Sequence, residues 1–135
     1  MPYKVLIVDD ESHVLRVAEL GFCRAGFEVV TARNGQQALE RIAADLPHLM
    51  VMDVQMPIMD GLETLRRVKS NPLTAGIVVI MLTARGTSIN RLAAEAEGAV
   101  LFVTKPFSPT QLALEAQRFL SKPTGGLKPN ETSPL

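Results

Sequence analysis

Three aspartates in this chain fall where an acid is costly. Asp9 and Asp10 close one apolar run, Val5-Leu6-Ile7-Val8, and Asp53 closes a second, Leu49-Met50-Val51-Met52. A residue that ends a buried strand lies at the rim of a sheet, where open α/β proteins build their sites. Carboxylates gathered at one rim repel one another, by roughly 4 kcal/mol for two unit charges about 4 Å apart at an effective dielectric near 20. Something positive must offset this, either a divalent cation or a lysine. Hard oxygen donors at a sheet edge suit Mg²⁺. The chain also supplies Lys105, at the end of another apolar run.

The elements that must position these groups are legible as alternating patterns. Apolar runs cover 4–8, 28–32, 48–53, 77–82 and 100–104. Most are continuous rather than alternating, which marks strands covered on both faces of a parallel sheet. Helical spacing lies between them. Val14, Ala18, Gly21, Phe22 and Ala25 stripe the first helix, and Gly26 stops it. Asn34 caps a second carrying Ala38, Leu39 and Ile42. Leu62, Leu65 and Val68 stripe a third, which starts at the Asp60-Gly61 turn and ends at Asn71-Pro72. An Ala-rich fourth spans about 87–97. The fifth opens with Ser108 as cap, Pro109 in the first turn and Gln111 completing a capping box. A βα unit repeated five times predicts a flavodoxin-like, doubly wound (βα)5 fold, with right-handed crossovers in a five-stranded parallel sheet.

Composition narrows the class. A chain of 135 residues, 47% of them hydrophobic, is expected to form one domain with a real core. Residues 1–120 carry the pattern. Residues 121–135 hold three prolines and two adjacent glycines, and read as a flexible tail or the start of a linker. Fourteen basic residues balance fourteen acidic ones, which argues against a non-specific nucleic-acid or membrane partner. No run approaches the roughly 20 apolar residues of a membrane span, and Met1-Pro2-Tyr3-Lys4 leads straight into a strand without a signal-peptide pattern. A cytoplasmic protein is the expectation. The single cysteine, Cys23, sits within the first helix pattern and reads as a buried small hydrophobe.

Four of the five runs end in a residue fit for chemistry: Asp9-Asp10, Asp53, Thr83 and Lys105. The second ends in Thr31-Ala32, without charge. In a sheet of order 2-1-3-4-5, taken from flavodoxin-like folds, the uncharged strand lies at an edge and the four marked ends are neighbours around one pocket. Here the chain resembles a known family. Val8-Asp9-Asp10-Glu11, the stretch Asp53-Val54-Gln55-Met56-Pro57-Ile58-Met59-Asp60-Gly61, the stretch Met81-Leu82-Thr83-Ala84, and Gly98-Ala99 followed by Phe102 and Lys105-Pro106-Phe107 are similar to the receiver domain of two-component response regulators. The match covers residues 4–120.

That resemblance implies a phosphorylation switch. Asp53 would be the phosphoacceptor, taking a phosphoryl group from a phosphohistidine on a sensor histidine kinase or phosphotransfer protein. Asp10, Asp53 and the backbone carbonyl of Gln55 would ligate Mg²⁺, with Asp9 helping through a water. Lys105, Thr83 and Ala84 would contact the phosphate, and Phe102 would follow Thr83 inward as an aromatic switch. Lys105-Pro106 would be cis, as only an X-Pro bond adopts cheaply. Gln55 and Arg85 flank the expected phosphate and could tune its hydrolysis or simply be solvated. The output would be an effector protein or domain that the residues do not name, with no direct nucleic-acid binding by this domain. Receivers often pair through the face of the fourth helix, fifth strand and fifth helix, so a homodimer there is a further implication. Val100-Leu101 is more apolar than the family pattern, and Phe102 replaces a frequent tyrosine. The chain would be no enzyme in the turnover sense, though it would assist its own phosphorylation and dephosphorylation. It would be either a stand-alone regulator or one with a linker beginning at Ser121.

Blander and rival readings exist for each group. Asp9-Asp10 could cap the first helix, Asp53 could be a solvated loop acid, Thr83 a strand-end hydroxyl, Lys105 a surface lysine and Phe102 plain core. His13 and His48 lack metal-ligand partners at useful spacing and read as a helix-surface and a loop residue. A haloacid-dehalogenase-like phosphatase would place its nucleophile after the first strand with a second acid two positions on, whereas the acids here are adjacent. A flavodoxin-type cofactor carrier needs a Ser/Thr/Gly-rich loop where this chain has Asp9-Asp10-Glu11-Ser12. An inert adaptor of the same fold would lack some of the five key residues, and all five are present.

Overall fold

The computed structural model describes residues 2–84 and 94–121. Five strands alternate with helices: β1 (Lys4–Val8), α1 (Ser12–Arg24), β2 (Glu28–Ala32), α2 (Gly35–Ala44), β3 (Leu49–Asp53), α3 (Gly61–Ser70), β4 (Val78–Thr83), β5 (Leu101–Thr104) and α4 (Pro109–Ser121). The sheet is parallel throughout in the order β2-β1-β3-β4-β5. Residues 94–96 are helical and form the end of the Ala-rich pattern; the rest of that pattern, 87–93, lies outside the described residues.

The continuous apolar runs have a direct cause. Successive residues of a strand face opposite sides, and both sides are covered. Leu6, Val8, Met50, Met52, Val79 and Met81 pack on one face with Ala38 and Ile42 of α2 and Leu65 and Val68 of α3. Val5, Ile7, Leu49, Val51, Ile80 and Leu82 pack on the other with Leu15, Ala18 and Phe22 of α1 and Leu112, Ala113 and Ala116 of α4. Central β3 is buried along its whole length.

The local signals operate as the chemistry requires. Oδ1 of Asn34 accepts the Gln37 amide at 2.8 Å, and Oδ1 of Asp60 accepts that of Glu63 at 2.9 Å, capping α2 and α3. Gly26 follows the α1 terminus with φ +92°, the left-handed geometry that ends a helix. At α4, Ser108 Oγ accepts the Gln111 amide at 3.2 Å, while the Gln111 side chain reaches forward to Glu115 rather than back. Cys23 is exposed, not buried. The α1 stripe runs Leu15, Ala18, Phe22, and the residue after Phe22 is turned about 100° off it. His13 lies on the α1 surface. His48 is a loop residue whose Nδ1 accepts the Lys4 amide at 3.0 Å.

Register decides what meets at the carboxyl rim. Val8 pairs with Ala32 and Met52, Met52 with Met81, Asp53 with Leu82, and Thr83 with Thr104. The hydrogen-bond ladder runs one residue past these ends. Asp9 N donates to Ala32 O (3.1 Å), Val54 N to Leu82 O (3.0 Å) and Lys105 N to Thr83 O (2.8 Å). The backbones that carry Asp9, Asp53 and Lys105 are therefore fixed by the sheet itself.

Candidate functional site

The rim brings the three aspartates together. One carboxylate oxygen from each of Asp9, Asp10 and Asp53 lies within 4.8 Å of the others. Asp9 is fully buried, Asp53 nearly so, and Asp10 exposed. Lys105 faces them, with Nζ 2.8 Å from Oδ2 of Asp9 and 3.3 Å from Oδ2 of Asp53. The ammonium approaches Asp9 Oδ2 off the hydrogen-bonding direction, so the contact is an ion pair and that buried oxygen has no hydrogen-bond donor. Oδ1 of the same residue accepts the Glu11 amide at 2.9 Å. Asp9 thus closes the turn before α1 without capping that helix, whose N-cap is Glu11, and turns its other oxygen toward Lys105.

Electrostatics follow from this crowding. Burial raises the Asp53 carboxyl above its ordinary range, and the Asp9 charge adds to it; Lys105 and the Gln55 backbone N–H pull the other way and lose. For Lys105, burial alone would lower the amine. Its contacts with Asp9 and Glu11 and the Asp53 charge outweigh that and hold it above its ordinary value. One lysine against Asp9, Asp10, Glu11 and Asp53 leaves the cluster electron-rich. An orphaned buried oxygen beside two further carboxylates is a hard-oxygen donor set suited to Mg²⁺.

The remaining rim residues take their places around a cavity of about 300 Å³ lined by Asp10, Asp53, Gln55, Thr83, Ala84 and Lys105. Thr83 is buried and its hydroxyl donates to Ala84 O at 3.2 Å. Gln55 is exposed. Phe102 pairs with Met81 in the register and is half-buried against the α2/α3 side of the core. The Lys105-Pro106 peptide is cis. Val100 is 40% exposed just before β5, while Leu101 packs on the core, so the apolar pair contributes surface as well as core. Arg85 lies outside the described residues. Gly61 allows the β3–α3 connection to fold over the site: its N–H donates to Val54 O at 2.8 Å, and a Cβ there would lie 2.2 Å from the Asp53 carbonyl oxygen.

Two residues escape the sequence reading. Glu11, exposed on its side chain, accepts a hydrogen bond from Lys105 at 3.0 Å. Arg33, one past the strand end read as uncharged, donates to Asp10 O at 3.0 Å and Ser12 Oγ at 2.9 Å. It ties the β2 end to the turn that carries the acids. Its own amide is held by Gln37 Oε1 at 2.8 Å. The only signal for either is proximity in sequence to a strand end.

A parallel sheet of order β2-β1-β3-β4-β5, with an acid cluster and a lysine facing each other at its carboxyl rim, defines a flavodoxin-like α/β domain with its site at the topological switch point. The chain belongs to the response regulator receiver domain family, whose model matches residues 5–117. It is 37% identical over 118 residues to the phosphate regulon transcriptional regulatory protein PhoB of Pseudomonas aeruginosa, covering 87% of this chain and 52% of PhoB. It is 31% identical over 122 residues to the alkaline phosphatase synthesis transcriptional regulatory protein PhoP of Bacillus subtilis, covering 90% of this chain and 50% of PhoP. The chain therefore spans about half the length of these relatives. Among solved structures, a CheY-like response regulator receiver domain protein from Methanospirillum hungatei superposes with a TM-score of 0.84 at 26% identity, over 90% of this chain and 96% of that one. Among the described residues, no helix is long and apolar enough to cross a membrane.

Proposed function

We propose that the chain is a phosphorylation switch in which Asp53 accepts a phosphoryl group from a phosphohistidine of a sensor kinase or phosphotransfer protein. The observation that carries this is the placement of Asp53: it ends the central strand, with a carboxylate oxygen 3.3 Å from Lys105 and the Asp9 and Asp10 carboxylates beside it. A carboxylate is a competent covalent nucleophile. An oxygen of Asp53 attacks phosphorus, the P–N bond breaks, the imidazole leaves with the electron pair, and an acyl phosphate remains. Such a transfer asks the protein mainly to position groups and neutralise charge. Lys105 neutralises a phosphoryl oxygen. Thr83 and the Ala84 backbone contact the phosphate, and Gln55, exposed on the cavity wall, sets the access of water.

Asp10, Asp53 and the Gln55 carbonyl would hold Mg²⁺, with Asp9 acting through a water. The ion would supply the positive charge that lets an anionic donor approach the acid cluster. After transfer, the Thr83 hydroxyl gains a charged acceptor in place of Ala84 O. That differential contact would bias Phe102 between two arrangements. The domain works as a cytoplasmic switch and not as a turnover enzyme. Its partners are the phosphodonor and an effector, and a second copy could pair across the β5 and α4 face. PhoB and PhoP are transcriptional regulators by name, and the match leaves about half of each uncovered. A transcriptional output here would accordingly be carried by residues beyond this domain.

The test is incubation with acetyl phosphate and Mg²⁺ followed by intact mass measurement. One phosphate should be added to the parent and none to Asp53→Asn. Equal labelling of both proteins would place the acceptor elsewhere.

A further inference from the structure

The three acids around Lys105 do not hold it in the same way. Asp9 and Asp53 attract it by charge, from 2.8 and 3.3 Å, and the nearer of these contacts is off the hydrogen-bonding direction. Glu11 accepts a hydrogen bond at 3.0 Å, although its side chain is 61% exposed. The Glu11–Lys105 pair is also the wall shared by two cavities. One is the site cavity over Asp53; the other, of about 380 Å³, is lined by Val14, Val17, Pro106 and Phe107. None of the roles assigned above uses Glu11.

We propose that Glu11 is a positioning residue that parks Lys105: it gives the ammonium an acceptor at the rim when a divalent cation takes over the neutralisation of Asp9 and Asp53. This rests on the metal-binding reading of the site. Two cations that compete for carboxylate oxygens gathered within 4.8 Å repel each other, which favours an ammonium displaced from the oxygens the metal takes. It must also remain close enough to meet a phosphoryl oxygen afterwards. Glu11 suits both needs. Its backbone is pinned by the Asp9 carboxylate at 2.9 Å, and its carboxylate already accepts from the amine at the wall between the two cavities. Without that acceptor, the acids left to Lys105 among the described residues are Asp9 and Asp53, both of which face the metal site. Glu11 therefore favours metal binding without being a ligand.

The experiment is a calorimetric Mg²⁺ titration of the full chain, comparing the parent with Glu11→Gln and Glu11→Asp. Glu11→Gln should weaken Mg²⁺ binding about three-fold, the scale of a partly exposed ion pair. Glu11→Asp keeps the charge but is one methylene too short to reach Lys105, so it should show a similar loss. Parental affinity in Glu11→Asp with a loss in Glu11→Gln would show that bulk charge alone matters and overturn the proposal, as would parental affinity in both. A second arm repeats Glu11→Gln in a Lys105→Met background. Acting through the lysine, the substitution should there change affinity less than about 1.5-fold, and an undiminished effect overturns the proposal. Should that background fail to fold, the Gln-versus-Asp comparison still decides. A parent that binds no Mg²⁺ would overturn the metal reading itself and this proposal with it, whereas a binding parent with unaffected variants overturns only the role of Glu11.

Discussion

Removing the lysine from its acids should unfold the metal-free protein measurably more easily, and the structure sets the size. In Lys105→Met, Asp9 and Asp53 lose a cation at 2.8 and 3.3 Å. At an effective dielectric near 20 those attractions are about 6 and 5 kcal/mol, and the desolvation of all three groups cancels most of them. What remains after mutation is a buried carboxylate pair without a counter-charge, which costs about 3–5 kcal/mol. Against a total stability of roughly 5–15 kcal/mol this is large, and it corresponds to a fall in melting temperature of roughly 10–15 °C. The assay is thermal and urea unfolding of both proteins in a chelator. Its pH dependence has a defined sign. Burial and the Asp9 charge raise the Asp53 carboxyl, so as pH falls through that raised value the group takes a proton and no longer needs the ammonium. The gap between parent and mutant should close on the acid side. On the alkaline side, contacts with Asp9 and Glu11 outweigh burial and hold the Lys105 amine above 10.5, so its contribution is complete below that pH and is lost only above it. Added Mg²⁺ should restore more stability to the mutant than to the parent, because it finds the acids unpaired. A gap under about 1 kcal/mol at neutral pH, or one that widens on acidification, would refute the reasoning.

Asp53→Asn should stabilise the metal-free protein by about 1 kcal/mol at pH 7. Its carboxylate is less favourable folded than unfolded, Lys105 notwithstanding, and chemical denaturation reads the gain; a loss would mean that the Lys105 pair dominates. Gly61→Ala should cost about 1–3 kcal/mol and lower phosphorylation of Asp53, because the new Cβ meets the Asp53 carbonyl at 2.2 Å; unchanged melting and labelling would show that the connection yields freely. Arg33→Ala should weaken Mg²⁺ binding two- to four-fold by calorimetry, on the order of 1 kcal/mol or less, since the Asp10 turn loses two tethers. The lost positive charge acts in the opposite direction but is exposed and screened, so tighter binding in the variant would show that its field outweighs its hydrogen bonds.

The part of this site legible in sequence is the part set by strand ends. Asp9, Asp53, Thr83 and Lys105 each terminate or follow a continuous apolar run, and the parallel register then aligns them without any further choice. The helix caps were equally readable, because Asn34 and Asp60 act on amides three residues away. What sequence does not carry is side-chain direction across long separations. Glu11 meets Lys105 from 94 residues away and Arg33 meets Asp10 from 23, and both contacts depend on rotamers rather than on periodicity. Cys23 shows the same limit at short range: it lies in the expected helix, but the apolar stripe runs through Phe22 and leaves the next residue outside. The two residues that were missed have a common position. Arg33 braces the turn that carries the acids, and Glu11 shares the lysine with the buried acids. The sheet assembles a cluster with more negative charge than its one lysine neutralises, and these exposed neighbours adjust it from outside the sheet. A core substitution is expected to alter whether the cluster forms, whereas one at Glu11 or Arg33 is expected to alter how readily the cluster accepts a cation. Variation in response between proteins of this fold is therefore to be sought first among the residues flanking the strand ends, where it costs the sheet nothing.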